Sequence, residues 1–404
     1  MFAINIFLCY IHFTSNITVI YRRRIASPSR TSPCHVHTKG TAMKHFCFLW
    51  VAVALLPILL LQTSADAQTP TYSIVDFRNA TNQPITTGVA INAQGQVAVV
   101  STGPSSKGTF RTSASNQAYG AVQLPGFGGG VQEGIGINDL GQIAGYAYTD
   151  NNNQQLAYRS TGNGVQPAIQ SLGTLGGARS YATGINNNGE VTGSALNAAN
   201  AWHAFRSTPN GTGVALTDIG TLGGGYAEGR GINSAGQIAG GSTTSTGQLR
   251  AFRSTPTGVP SALTDMGTLG GAESFAFGVT DRGNVTGYSR QADGLYRAFL
   301  SSGNGEAVSL NNLGVLSGFT SSIAYSANAS NLVVGQCNDT NVVTGSQTSR
   351  GFIYAPGTGM LDLNSLLAPG FESYRILAAY SINDSGEIAA VAFAGGASRA
   401  IRLV

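Results

Sequence analysis

Few residues in this chain are equipped for acid–base or nucleophilic work. Beyond residue 67 it carries one histidine, His203, and one cysteine, Cys337. A Ser/His/Asp or Cys/His arrangement needs a base beside its nucleophile, and only His203 could serve. It sits where equivalent segments carry Arg250, Arg297 and Arg350, so the position reads as structural. Cys337 reads as a small buried residue. Zinc needs several His or Cys ligands, and these two do not supply them. Asp139, Asp281 and Asp384 fall in short turns without the dense ligand pattern of a calcium loop. No metal and no cofactor is therefore expected. The Gly-Gly pairs at 176, 223 and 270 lack the Lys-Ser/Thr of a phosphate loop. Carboxylates remain, and two of them brought together from distant segments could support glycoside cleavage.

A second set of residues departs from a Gly/Ala/Ser background. Arg179, Tyr226 and Glu273 occupy one equivalent position, and Glu133, Tyr181, Glu228 and Phe275 another. Trp202 ends a neighbouring polar segment that starts at Asn197. Polar side chains beside aromatics suit sugar or peptide contacts. Arg179, Tyr181, Trp202, Tyr226, Glu228, Glu273 and Phe275 are the candidate ligand-binding residues, expected on loops at one mouth of the fold, where a rigid scaffold presents its variable chemistry.

The equivalence comes from an internal repeat. GINDLGQIAG begins at Gly136, GINNNGEVTG at Gly184 and GINSAGQIAG at Gly231. Weaker copies begin at Ala90, Gly278, Ser326 and Ser381, and the Asn falls at 92, 138, 186, 233, 328 and 383, with Thr280 in the remaining unit. Each unit reads as four short strands. The first ends in Ile-Asn, and the N-x-x-G turn leads to a Gln-Ile-Ala-Gly strand. An Ala-Phe-Arg-Ser strand follows, then one of the Leu-Thr-Asp-Ile-Gly type. Four antiparallel strands per 40–50 residues is the signature of a propeller blade. The chain is 10% charged and contains 55 glycines in 404 residues, which excludes a coiled coil; collagen's three-residue glycine period is absent. Its 42% hydrophobic content excludes a disordered chain.

The expected fold is an all-β, seven-bladed propeller. The seventh unit stops after its third strand, at Val404, while Tyr72–Phe77 forms a spare strand of the fourth type. Pairing the two ends removes an open sheet edge, so strand 72–77 is expected to close the ring. Twelve residues separate the third-strand Arg from a fourth-strand polar residue in Arg206/Asp218 and Arg253/Asp265. These are expected as structural cross-strand pairs, and Arg402/Asp76 as their counterpart in the closing blade.

Trp202-His203-Ala204-Phe205, Asp218-Ile219-Gly220-Thr221-Leu222-Gly223-Gly224 and Gly231-Ile232-Asn233 together resemble the HAF-type extracellular repeat family of bacteria. The resemblance covers essentially residues 71–404. It implies an exported bacterial protein and no particular reaction. The family's histidine occurs only at His203, so the resemblance carries over no catalytic site.

The N-terminal region differs from the rest. From Met43 the chain reads MKHFCFLWVAVALLPILLLQTSADAQ: a basic start, an apolar run too short to span a membrane, and an A-x-A site. Residues 43–67 are expected to be a secretory signal peptide, residues 1–42 upstream sequence outside the native protein, and 68–404 one propeller domain. The leader holds six of the 22 basic residues and one of the 18 acids. The body that remains is close to neutral, which argues against nucleic-acid binding. The expectation is a secreted, extracellular or periplasmic, monomeric binding module for a glycan, cell-surface polymer or protein. The alternative is a carbohydrate-active lyase or hydrolase with acids clustered at the mouth.

Overall fold

The computed structural model describes residues 71–77, 87–101, 108–113, 121–150, 154–339 and 348–404. The expected leader and signal peptide lie outside the described residues. Seven antiparallel sheets of four strands each account for almost all of the regular structure, with one short 3-10 turn, Leu363–Leu366. Blade 1 runs over 87–123, blade 2 over 128–173, blade 3 over 176–218, blade 4 over 223–265, blade 5 over 270–312 and blade 6 over 321–362. Blade 7 takes three strands from 375–403, and its outermost strand is Ile74–Asp76 from the other end of the chain. Val75 stands opposite Arg402 and Asp76 opposite Ile401. The ring closes as the strand count predicts.

Alternation along the third strand explains the Ala-Phe-Arg-Ser phrase. Successive side chains point to opposite faces of a sheet. Phe205 packs among Ala144, Ala157 and Leu172 of the preceding blade. Phe252 packs on Ala204 and Ile219, Phe299 on Ala239, Ala251 and Met266, again one blade back. Each of these rings is fully buried, a burial that contributes roughly 1.5–3 kcal/mol. In blades 3 and 4 the Arg that follows, Arg206 or Arg253, faces the other way, toward the next blade.

The Gly of the G-I-N phrase answers to crowding near the axis. A Cβ on Gly184 would lie 2.7 Å from the Arg230 carbonyl oxygen of the next blade, and one on Gly231 would lie 2.9 Å from that of Phe277. The first strands of neighbouring blades meet there backbone to backbone. They are also longer than the sequence suggests, ten residues in blades 2 to 5, each with two breaks in register against the second strand.

Candidate functional site

At the face carrying the N-x-x-G turns, the side chains serve the architecture. Asn186 accepts at Oδ1 from the main-chain N–H groups of Asn188 and Glu190, closing its own turn. Its Nδ2 donates to the Asn233 carbonyl of the next blade at 2.9 Å. The same inter-blade link runs from Asn92 to Asn138, Asn138 to Asn186, Asn233 to Thr280, Asn328 to Asn383 and Asn383 to Asn92. Outside this circle, Gln96 and Asn163 exchange two amide hydrogen bonds, as do Gln142/Asn210 and Gln237/Asn304. Asp139, Asp281 and Asp384 accept from the main chains of Ala93, Ser234 and Ala329. These carboxylates cap turns of a neighbouring blade.

The other half of the axial channel has different chemistry. A cavity of about 380 Å³ is lined by the first strands of all seven blades. Two residues before the Ile of each phrase, the wall reads Ile135, Thr183, Arg230, Phe277, Tyr325 and Tyr380 around blades 2 to 7. One wall is therefore small and β-branched, and the facing wall aromatic. Phe277 and Tyr325 have ring centroids 5.0 Å apart, and Tyr325 and Tyr380 likewise 5.0 Å. Arg230 lies between the two walls, its guanidinium 5.5 Å from the Phe275 centroid and 5.7 Å from that of Phe277. Glu228 holds it at 2.7 Å and is itself buried. The cavity thus meets one edge of a guanidinium whose charge is already balanced from behind.

An aromatic arc continues outward from the cavity. Tyr226 donates to Glu228 at 2.6 Å. Tyr181 stands 5.3 Å from Trp202, centroid to centroid, and burial, then the charge of Glu228, pushes its phenol up to about 12. Burial also raises Tyr226, Tyr325 and Tyr380 above the ordinary tyrosine value, with Glu228 adding to the effect at Tyr226. These phenols are neutral hydroxyls at physiological pH. On blade 5, Glu273 accepts from Tyr296 at 2.7 Å and from Arg290 at 3.2 Å, and Tyr288 links this group to Phe275.

Of the residues singled out in the sequence, Tyr181, Trp202, Tyr226, Glu228 and Phe275 come together in this arc. Glu273 lies beside it, and Arg179 is exposed at the rim. Arg179, Tyr181, Tyr226, Glu228, Glu273 and Phe275 lie within the first strands and not on loops, because those strands extend back to the Gly-Gly pairs. Trp202 opens the third strand of blade 3. Arg230, Phe277, Tyr325 and Tyr380 are not among the residues the sequence singles out. The signal was present: theirs is the position in an otherwise repetitive phrase that changes side-chain class from blade to blade.

The cross-strand Arg pairs require correction. Arg206 stands opposite Thr217, and Asp218 opposite Phe205; Arg253 and Asp265 show the same one-residue offset. Alternation then sends the two side chains to opposite faces. Arg206 donates to the Thr255 carbonyl at 2.7 Å, and Arg253 to the carbonyls of Gly283 and Ser302, all in the next blade. Asp218 instead holds His203 Nδ1 at 2.8 Å, and Asp265 accepts from the Gly267 main chain. Arg402 and Asp76 do lie on adjacent strands of one blade, but Asp76 pairs with Arg399 at 2.8 Å while Arg402 reaches the Gly95 carbonyl of blade 1.

Burial pushes the Cys337 thiol up to about 12, in keeping with a packing role. Among the described residues, no three His, Cys, Asp or Glu side chains gather as metal ligands would. No helix among them is long and apolar enough to cross a membrane.

A family model described as "Protein of unknown function (DUF3466)" matches residues 226–401, from the first strand of blade 4 to the third strand of blade 7. Comparison with curated proteins finds no match. Among solved structures, the crystal structure of TolB from Acinetobacter baumannii is similar with a TM-score of 0.38 and 14% identity, over 54% of this chain and 51% of that one. The match thus spans about half the length of each.

Proposed function

We propose that the protein is an exported, monomeric, non-catalytic binding module, and that the axial cavity takes a neutral glycan. The carrying observation is the contrast between its walls: Phe277, Tyr325 and Tyr380 on one side, Ile135 and Thr183 on the other, with Arg230 between them. Aromatic faces suit the C–H faces of sugar rings, and the exposed guanidinium edge suits hydroxyl acceptors. Glu228 already neutralises Arg230, which disfavours a ligand bearing its own negative charge. The volume lies within the range of small-ligand sites, about 300–1,000 Å³. Export rests on the signal-peptide pattern at residues 43–67.

A lyase or hydrolase is the second reading. It is favoured by the approach of a carboxylate, a phenol and a guanidinium at Glu228, Tyr226 and Arg230. Against it, both Glu228 oxygens are engaged and the side chain is buried. One experiment separates the readings: the protein is incubated with a panel of neutral and anionic polysaccharides and with protein ligands, and both retention and chain shortening are measured. Retention of neutral glycans without shortening is the expected result, lost in Phe277→Ala and Tyr325→Ala. Shortening would establish the enzyme, and retention of proteins alone would overturn the glycan.

A further inference from the structure

The axial channel is divided. The aromatic chamber and a second cavity among the Asn turns share a border of Ile91, Ile137, Ile185, Ile232, Val279 and Ala327. The floor of the chamber is therefore an apolar collar. Below it, the Asn amides that would have to greet a polar chain are committed to the inter-blade circle. The chamber offers no side exit between blades 2 and 6, because neighbouring first strands meet at Gly136, Gly184, Gly231 and Gly278 closely enough that a Cβ would press on the next backbone.

We infer that the chamber is a socket for the end of a glycan chain, a branch tip included, and not a tunnel through which a chain passes; the inference rests on the glycan reading above. A sugar threaded past the collar would exchange water for aliphatic side chains around its hydroxyls, an uncompensated loss of hydrogen bonds. At the open end the same sugar stacks on Phe277, Tyr325 and Tyr380 and reaches Arg230. The terminal unit alone is enclosed, while the units behind it emerge past Tyr226, Tyr181 and Trp202.

The test uses the full chain with size-fractionated ladders of linear, unbranched neutral glucan, mannan and galactan, from dimer to polymer. Binding sites per unit mass of glycan are counted at saturation. End recognition predicts that this number halves whenever chain length doubles, and that the dimer competes fully with the polymer. Thr183→Phe, which fills the chamber from its small wall, should weaken dimer and polymer equally; circular dichroism and the thermal midpoint report whether the ring stays folded. A constant number of sites per unit mass, or affinity that climbs steadily with chain length, overturns the socket and leaves the glycan reading standing. No binding by any ladder overturns the glycan reading itself.

Discussion

The side-chain amide of Asn383 donates to the main-chain carbonyl of Asn92 at 3.0 Å, across 291 residues of chain. This link belongs to the same circle that joins blade 1 to blade 2, so the place where the chain ends meet carries the ties of an ordinary interface. The Arg402–Gly95 contact likewise repeats the Arg159–Gly189 and Arg253–Gly283 contacts of other junctions. Asn383→Ala should lower the unfolding free energy by about 1–3 kcal/mol, the cost of stranding buried partners, as measured by urea denaturation. Only where Thr280 faces blade 6 does the circle lack this side-chain bond. Thr280→Asn should supply it and stabilise the ring by about 0.5–1.5 kcal/mol. A loss of stability in that variant would mean that the gap is sterically enforced.

Arg253 and Asp265 provide a sharper contrast. Arg253→Leu removes the donor to two carbonyls of blade 5 and should cost about 1–3 kcal/mol. Asp265→Ala removes one turn bond at the surface and should cost about 0.5 kcal/mol, the lower end for a single hydrogen bond. The double variant should be additive, because the two side chains point to opposite faces of the blade. A coupling energy above about 1 kcal/mol would restore the cross-strand pair.

Gln336 is fully buried in the second strand of blade 6, and neither its amide nitrogen nor its amide oxygen has a hydrogen-bond partner. Leu is of similar size and carries no polar atoms. Gln336→Leu should raise the unfolding free energy by about 1–3 kcal/mol, read as a higher urea midpoint at unchanged slope. A decrease would show that the amide is satisfied in solution.

Alkaline pH should weaken the fold. Burial raises the phenols of Tyr181, Tyr288, Tyr325 and Tyr380 above the ordinary tyrosine value of about 10, and those of Tyr181 and Tyr288 to about 12. Above pH 10 the unfolded chain releases these protons while the folded chain keeps them, so unfolding gains in favour as pH rises. Stability from these groups is fully present below pH 10 and is lost progressively up to and through the folded values. The thermal midpoint should therefore be level on this account to about pH 9 and fall beyond pH 10. Tyrosinate absorbance should appear later than in denatured protein. Coincident titration of native and denatured protein would contradict the burial of the arc.

Much of the ring was legible because the repeat is strict where it serves architecture. The Asn of the turn, the Gly of the crowded first strand and the buried Phe each recur at one spacing, and the unpaired strand at 72–77 announced the closure. The role of Arg206 was not legible. A spacing of twelve residues places two side chains on neighbouring strands, but a register offset of one decides which face each occupies. Arg230, Phe277, Tyr325 and Tyr380 were hidden for a related reason. Nothing in the chain states that a first strand is ten residues long. Tyr181, Glu228 and Phe275 are legible because their types stand out among small residues.

The opposed directions of Phe205 and Arg206 have a consequence for how the molecule is assembled. Each blade reaches backward with a buried apolar side chain, a ring in six of them and Ile401 in blade 7, and, in five of the seven, forward with a guanidinium. Every junction is head-to-tail, the kind of bond that closes into a circle only when successive rotations add up to a full turn. A duplicated blade would find its plug and its socket waiting at any junction. The count of seven is written in the angle between neighbours, and the strand at Ile74–Asp76 serves as the clasp that fastens the circle once that angle has been used up.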